Sequence, residues 1–170
     1  MTRHARSWLA AGAACLLAAS SALGHGNEKG KAETKVGNAT VTVEYAGPAL
    51  KGRDVLALIQ PGHIWRLGAD VPTTIESDAD LDFAGARVPK GKHILLAQLT
   101  EPGKWVLIVS SKPASQYEAG DKIAEVPLEL GQAGDSVEEM AIRLSSHGER
   151  GVIEVAWGVN RLSATFTEAK

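Results

Sequence analysis

The sequence predicts an all-β protein: a single-domain antiparallel β-sandwich or flattened barrel that follows an N-terminal signal peptide. Apolar and polar side chains alternate with a period of two in many short stretches, as they do in half-buried strands. Pro and Gly separate these stretches at the short intervals typical of antiparallel sheets. There is no convincing amphipathic helix, so about nine short strands must bury one face each, which two packed sheets or a flattened barrel achieve.

The first residues have the pattern of a secretory signal peptide over residues 1–24. Arg3 and Arg6 provide a positive start, residues 8–19 an apolar core, and residues 20–24 a zone of small side chains for cleavage. The apolar core is shorter than the roughly 20 residues that cross a bilayer, so we expect no membrane span after cleavage. We therefore expect a periplasmic or secreted protein.

The charge balance argues against nucleic acid as a partner. Cleavage would remove two of the 18 Lys and Arg side chains and none of the 20 acidic ones, so the acidic excess grows. Proteins that bind nucleic acid usually present a strongly basic surface instead. Cleavage would also remove Cys15, which is the only cysteine, so no disulfide is expected.

The beginning of the mature chain is expected to be a flexible leader over residues 25–37. Gly, Asn, Glu, Lys and Thr dominate it, and such a composition buries too little apolar surface to offset the entropy of ordering. The β domain is then expected over residues 38–170. Its first strand is predicted where Val41, Val43 and Tyr45 alternate with polar residues.

The middle of the domain is predicted as short strands joined by tight turns. Residues 55–59 fit either one helical turn or a short buried strand. The next predicted strands cover residues 73–76, 81–83, 87–88, 94–99 and 105–109. The Pro-Gly turn at 101–104 should close a hairpin, and residues 112–121 should form the longest loop.

The last third is predicted as an edge strand followed by three further strands. Residues 124–130 alternate, and Pro127 indicates an edge position because it cannot donate to a ladder. Three more alternating stretches, at residues 140–144, 153–157 and 162–166, predict consecutive strands, and turns are expected at residues 131–135, 147–151 and 158–161.

Residues 61–74 break this regular pattern and are the predicted site. They combine aromatic, cationic, anionic and hydroxyl side chains, and the six candidate ligand-binding residues are His63, Trp65, Arg66, Asp70, Thr73 and Thr74. Arg66 can hold a carboxylate or phosphate through two hydrogen bonds, while Trp65 stacks on a ring or sugar. The ligand would be a small molecule or another envelope component. The structural alternative is an internal Arg66–Asp70 pair, with Trp65 filling the core.

A second hypothesis is a hydrolase that uses His63 or Asp70 as a base, with Arg66 stabilising developing negative charge. No catalytic motif supports it, since no serine lies in a Gly-x-Ser-x-Gly turn.

A third hypothesis is copper binding through His25, which becomes the first residue if cleavage follows Gly24 and the third if cleavage follows Ala22. A free amine and an imidazole can chelate copper(II) there, and the alternative is an unstructured end of the chain. The histidines are not spaced like zinc ligands, and no other cofactor is expected.

Several segments resemble one bacterial family. Val41-Thr-Val-Glu-Tyr, Val88-Pro-Lys-Gly-Lys, Trp105-Val-Leu-Ile and, most specifically, Trp65-Arg66-x-Gly68-Ala69 are similar to the family catalogued as domain of unknown function 2911. The family pattern continues with Asn where this chain has Asp70. The resemblance implies an exported, single-domain β protein and implies no established activity.

Overall fold

The computed structural model describes residues 27–170, which form ten β-strands and three short 3-10 turns. The strands are β1 (Glu28–Val36), β2 (Ala39–Gly47), β3 (Ile64–Trp65), β4 (Thr74–Ser77), β5 (Leu81–Phe83), β6 (Ala86–Val88), β7 (Gly91–Glu101), β8 (Lys104–Ser110), β9 (Lys122–His147) and β10 (Arg150–Glu168). The turns are Leu56–Leu58, Ala114–Gln116 and Ala119–Asp121. None of the helices in this range is long and hydrophobic enough to traverse a bilayer. The predicted signal peptide and His25 lie outside the described residues.

All ten strands belong to one antiparallel sheet in the order β1-β2-β4-β7-β8-β9-β10-β5-β6, with β3 paired to β7 beside this path. Strand β9 joins the two halves, because residues 122–128 pair with β8 and residues 129–147 pair with β10. The two halves face each other across a single apolar core to which every strand contributes. The all-β, antiparallel prediction is therefore confirmed. The sheet folds over on itself as a sandwich does, and it is not closed into a barrel.

Strand β2 shows how the predicted alternation builds this core. Ala39, Val41 and Val43 are buried, while Glu44 is exposed. The other confirmed predictions include the strands at β4 to β8 and the β7–β8 hairpin. Residues 112–121 do form a loop, but the prediction that it is the longest is wrong, because the connection between β2 and β3 runs over residues 48–63. The ambiguous stretch at residues 55–59 contains the 3-10 turn Leu56–Leu58.

Pro127 was predicted to mark an edge, and the pairing agrees. It lies opposite Val106 of β8, and the β9 segment 122–128 has no ladder partner on its other side within the described chain.

The prediction of a flexible leader over residues 25–37 is wrong for Glu28–Val36, which form β1. This strand pairs with β2 from Glu28↔Gly47 to Val36↔Ala39. The hydrogen bonds between two strands join backbone groups. A strand can therefore form from small or charged residues that show no apolar alternation in the sequence. Gly30 is needed here, since a Cβ at that position would collide with the ring of Tyr45.

The predicted turns at residues 131–135 and 158–161 are also wrong. Strands β9 and β10 run through them without interruption, and register shifts on either side of Gly158 absorb the local bend. Gly158 has a φ of +60°, which glycine adopts without steric cost. Glycine here bends a long strand instead of ending it. The predicted turn at residues 147–151 does join β9 to β10.

Asp80 fastens the connection between β4 and β5 to the one between β6 and β7. Its Oδ1 accepts the Lys90 backbone N–H at 2.8 Å, and its Oδ2 accepts the Arg87 guanidinium at 2.9 Å. These two donors hold the pKa of Asp80 below its ordinary value, the backbone N–H being the larger cause.

Candidate functional site

The predicted site segment enters the sheet as β3 and then leaves it in a tight loop pressed against β2. Ala69 donates its N–H to the Ala46 carbonyl at 3.0 Å. Gly68 lies so close that a Cβ would approach the same carbonyl oxygen to 2.9 Å. Leu67 and Asp70 both have positive φ values, 52° and 60°. The loop therefore has a fixed and strained course, and strain of this kind clusters at functional sites.

Trp65 points into the core and is only 8% exposed. Its ring stacks on Trp157 with a centroid distance of 5.6 Å and an interplanar angle of 12°. It also meets Trp105 edge to face at 6.1 Å. Trp65 therefore fills the core, which is the part of the structural alternative that concerns this residue, and its indole does not lie beside Arg66 on one ligand-facing surface.

Thr73 is fully buried and holds the loop together. Its hydroxyl donates to the Leu67 carbonyl at 2.7 Å, and its own carbonyl accepts the Leu95 N–H at 2.9 Å. Thr74 begins β4 opposite Glu44 and Ile94, and it lines a separate shallow depression that includes Tyr45. These two threonines therefore differ in role: Thr73 supports the loop from inside, and Thr74 borders a neighbouring surface.

Arg66 and Asp70 point outward and line one groove of about 160 Å³. We call it the Arg66 groove, and its other lining residues are Val71, Pro72, Ile94, Leu96, Pro113, Ala114 and Ser115. The Asp70 Oδ2 accepts a hydrogen bond from the Asn27 side chain at 2.8 Å. Within residues 27–170 the Arg66 guanidinium makes no hydrogen bond or ion pair, so the predicted Arg66–Asp70 pair is not formed there.

The apolar part of the groove comes from a face of β7 that the sequence interpretation missed. Leu95 and Ala97 point into the main core, whereas Leu96 points away from it and is nevertheless only 1% exposed. Its ladder partner Ile108 is buried in the same way. The consecutive apolar run at residues 94–97 was the available signal, because burial on both faces of a strand removes the alternation.

The remaining predicted residues lie elsewhere. His63 is exposed in the turn before β3, where its backbone N–H donates to the Gln60 carbonyl at 3.1 Å. It does not line the Arg66 groove. Between residues 27 and 170, no three His, Cys, Asp or Glu side chains are grouped to hold a metal ion. Copper binding at His25 stays a prediction, since that residue is outside this range.

An exposed ion pair lies on the depression beside Thr74. Lys92 Nζ and Glu44 Oε2 are 2.9 Å apart, and both side chains are about half exposed. The hydrogen bond and charge of Lys92 lower the pKa of Glu44, and Glu44 in turn raises the pKa of Lys92. Exposed pairs of this kind contribute little to stability.

These features define a folded-sheet β protein with a small, partly apolar groove on its outer face. Residues 27–166 match the family model described as "Protein of unknown function (DUF2911)", and the chain belongs to this family. The match begins just before β1 and so includes the strand that the leader prediction missed. The comparisons with curated proteins and with solved structures found no match.

Proposed function

We propose that the protein binds a small anionic ligand in the Arg66 groove after export from the cytoplasm. The observation that carries the proposal is an exposed guanidinium without a partner in the described chain, at the rim of a groove whose floor is the apolar side chain of Leu96. Arg66 then provides charge, and the floor provides apolar contact.

The chemistry of the groove narrows the ligand class. A guanidinium presents its N–H donors in a fixed fork that matches both oxygens of a carboxylate or two oxygens of a phosphate. Ligand pockets for drug-sized molecules usually measure roughly 300–1,000 Å³, so a groove of about 160 Å³ suits a smaller molecule or the end of a larger one. Asp70 on the same groove disfavours a ligand with anionic groups at both ends.

Of the two bases in the hydrolase alternative, His63 does not line the groove with Arg66. Asp70 does, but no histidine, lysine or second carboxylate of the described residues lines the groove beside it to complete a proton-transfer pair. Binding without catalysis is therefore the function we propose.

Export rests on the signal-peptide pattern of residues 1–24. Mass spectrometry of the protein recovered from the periplasm or the medium should give a chain that starts at residue 23 or 25. An intact Met1 terminus on protein from that fraction would contradict the proposal.

The binding proposal is tested by thermal unfolding with acetate, butanoate, hexanoate and benzoate. A ligand at 100 times its dissociation constant adds about 2.7 kcal/mol to the free energy of unfolding, which for a domain of this size raises Tm by on the order of 10 °C. The carboxylate that gives the largest shift should lose most of it in Arg66→Ala. It should keep the shift in Arg150→Ala, which removes an exposed arginine outside the groove. The absence of a shift with all four acids, or an equal shift in both variants, would refute this assignment.

A further inference from the structure

A second cavity of about 290 Å³ lies beside the bend of β9 and β10 and is separate from the Arg66 groove. Leu50, Val55 and Leu56 form its apolar wall, and Trp157 and Ser136 line it from the two long strands. Its volume is just below the range of roughly 300–1,000 Å³ that is common for small-molecule sites. We call it the flap cavity, because residues 52–61 run along one side of it.

Trp157 lines this cavity and has an unusual buried polar group. The residue is only 5% exposed, and its indole Nε1 is buried without an acceptor in the described part of the chain. An indole nitrogen can only donate a hydrogen bond. A buried donor without an acceptor costs about 1–3 kcal/mol, and native proteins leave few of them. The geometry therefore calls for an oxygen acceptor next to Trp157.

The backbone around Trp157 is irregular in a way that fits a site. The β9–β10 register shifts between Ala156 and Gly158, directly at Trp157. Such bulges occur frequently beside functional sites, where they redirect a side chain.

The flap is joined to the rest of the molecule mainly at its ends. Leu50 donates its N–H to the Glu138 carbonyl at 2.8 Å, and Gly62 donates its N–H to the Leu99 carbonyl at 2.7 Å. Between these anchors, the hydrogen bonds of residues 53–61 stay within residues 50–63.

The flap side chains cover the core only in part: Val55, Leu56 and Ile59 pack against it but stay partly exposed. The 3-10 turn Leu56–Leu58 has no buried residue, and Leu58 is 64% exposed. Solvent does not reach the Trp157 Nε1 in this structure, so the acceptor must enter when the flap, which has few long-range hydrogen bonds, moves aside.

We infer that the flap cavity is a second binding site, for a small uncharged molecule with an apolar body and one oxygen acceptor. The acceptor takes the Trp157 indole N–H, and the apolar body packs on Leu50, Val55 and Leu56. Arg53 and Asp54 also line the cavity, one positive and one negative, and each already bonds to a nearby backbone group, so the lining offers no net charge to attract an ionic ligand. This inference is independent of the carboxylate site at Arg66.

The test is a titration of the ¹⁵N-labelled protein followed by the indole N–H resonances. Cyclohexanone is the probe, and methylenecyclohexane, which has the same shape without the oxygen, is its control at equal concentration. The Trp157 resonance is assigned by its loss in Trp157→Phe. Cyclohexanone should move this resonance downfield in a saturable manner, and methylenecyclohexane should not.

Two matched variants locate the effect. Ser136 is exposed on β9 and lines the cavity, so Ser136→Phe should obstruct it and weaken the response to cyclohexanone at least tenfold. Thr165 is exposed on β10 and does not line the cavity, so Thr165→Phe should respond as the wild type does. Arg66→Ala should also leave the response unchanged, which separates this site from the proposed carboxylate site.

Three results would overturn the inference. The first is a Trp157 resonance that cyclohexanone does not move at millimolar concentration. The second is a shift of equal size in Ser136→Phe. The third is a cross-peak between the Trp157 N–H and water that persists at the highest ketone concentration, since an ordered water would then be the permanent acceptor.

Discussion

Replacing Trp65 and Arg66 one at a time should separate stability from binding at two neighbouring positions. A tryptophan side chain buries about 150–250 Å². At about 25 cal/mol per Å², burial of nearly all of it, as at Trp65, contributes about 4–6 kcal/mol. Trp65→Ala keeps a small part of that contribution and loses the contacts with Trp157 and Trp105. We therefore expect it to lower the free energy of unfolding by about 3–5 kcal/mol.

Arg66→Ala should change the same free energy by less than about 0.5 kcal/mol, because the side chain is exposed and has no partner within residues 27–170. Urea unfolding followed by tryptophan fluorescence and far-UV circular dichroism measures both variants. Trp65→Phe is the control, since it retains one ring against Trp157 and should fall between the other two. If Trp65→Ala cost less than 1 kcal/mol, or Arg66→Ala cost as much as Trp65→Ala, the division between an inward indole and an outward guanidinium would be wrong.

Three further variants test the framework around the site. Gly30→Val should destabilise the protein by about 1–3 kcal/mol and speed amide exchange in β1, because its side chain collides with Tyr45; unchanged exchange would contradict the packing of that strand. Thr73→Val removes the donor to a buried loop carbonyl and should lower the free energy of unfolding by about 1–3 kcal/mol in urea, whereas a neutral result would contradict the loop geometry. Asp80→Asn should be less stable than the wild type at pH 7. The Lys90 N–H lowers the folded-state pKa of Asp80, so ionised Asp80 stabilises the wild type. The difference in unfolding free energy between wild type and Asp80→Asn is therefore fully present above the unfolded pKa of about 3.9, and it is lost as pH falls through the lower folded-state pKa. A difference in urea midpoint that stayed the same from pH 7 to pH 2 would exclude that linkage.

The alternation of side chains was sufficient to predict β2, β4 and β5, because each of them buries one face against the core. Strands β7 and β8 were predicted from continuous apolar runs, since both of their faces are buried at Leu96 and Ile108. Alternation did not predict β1 or the uninterrupted course of β9 and β10, because other factors determine the structure there. Strand β1 is held by its ladder to β2 and so needs few large apolar residues. Strands β9 and β10 continue through residues 131–135 and 158–161, where the local sequence indicates turns, and the irregularity there is a shift of register around Gly158.

The candidate site shows a different limit. Trp65 and Arg66 are adjacent in sequence, which suggested a shared surface, but successive side chains of an extended segment point to opposite sides. What each one meets depends on residues far away in the chain. Trp157 is 92 positions from Trp65, and Pro113 is 47 positions from Arg66. Local patterns carry no information about such pairings.

The loop that follows Arg66 has a backbone conformation that suits an aspartate at position 70. Position 70 has a φ of +60°, and Asn and Asp are the residues that adopt this left-handed conformation most readily after glycine. Asp70 therefore adopts this backbone readily and adds a negative charge to the groove. A leucine adopts the left-handed conformation much less readily than Asn or Asp, so contacts with neighbouring residues must hold Leu67 at its φ of 52°. The buried Thr73 hydroxyl bonds to the Leu67 carbonyl and thereby stabilises the strained turn that directs Arg66 and Asp70 into one groove.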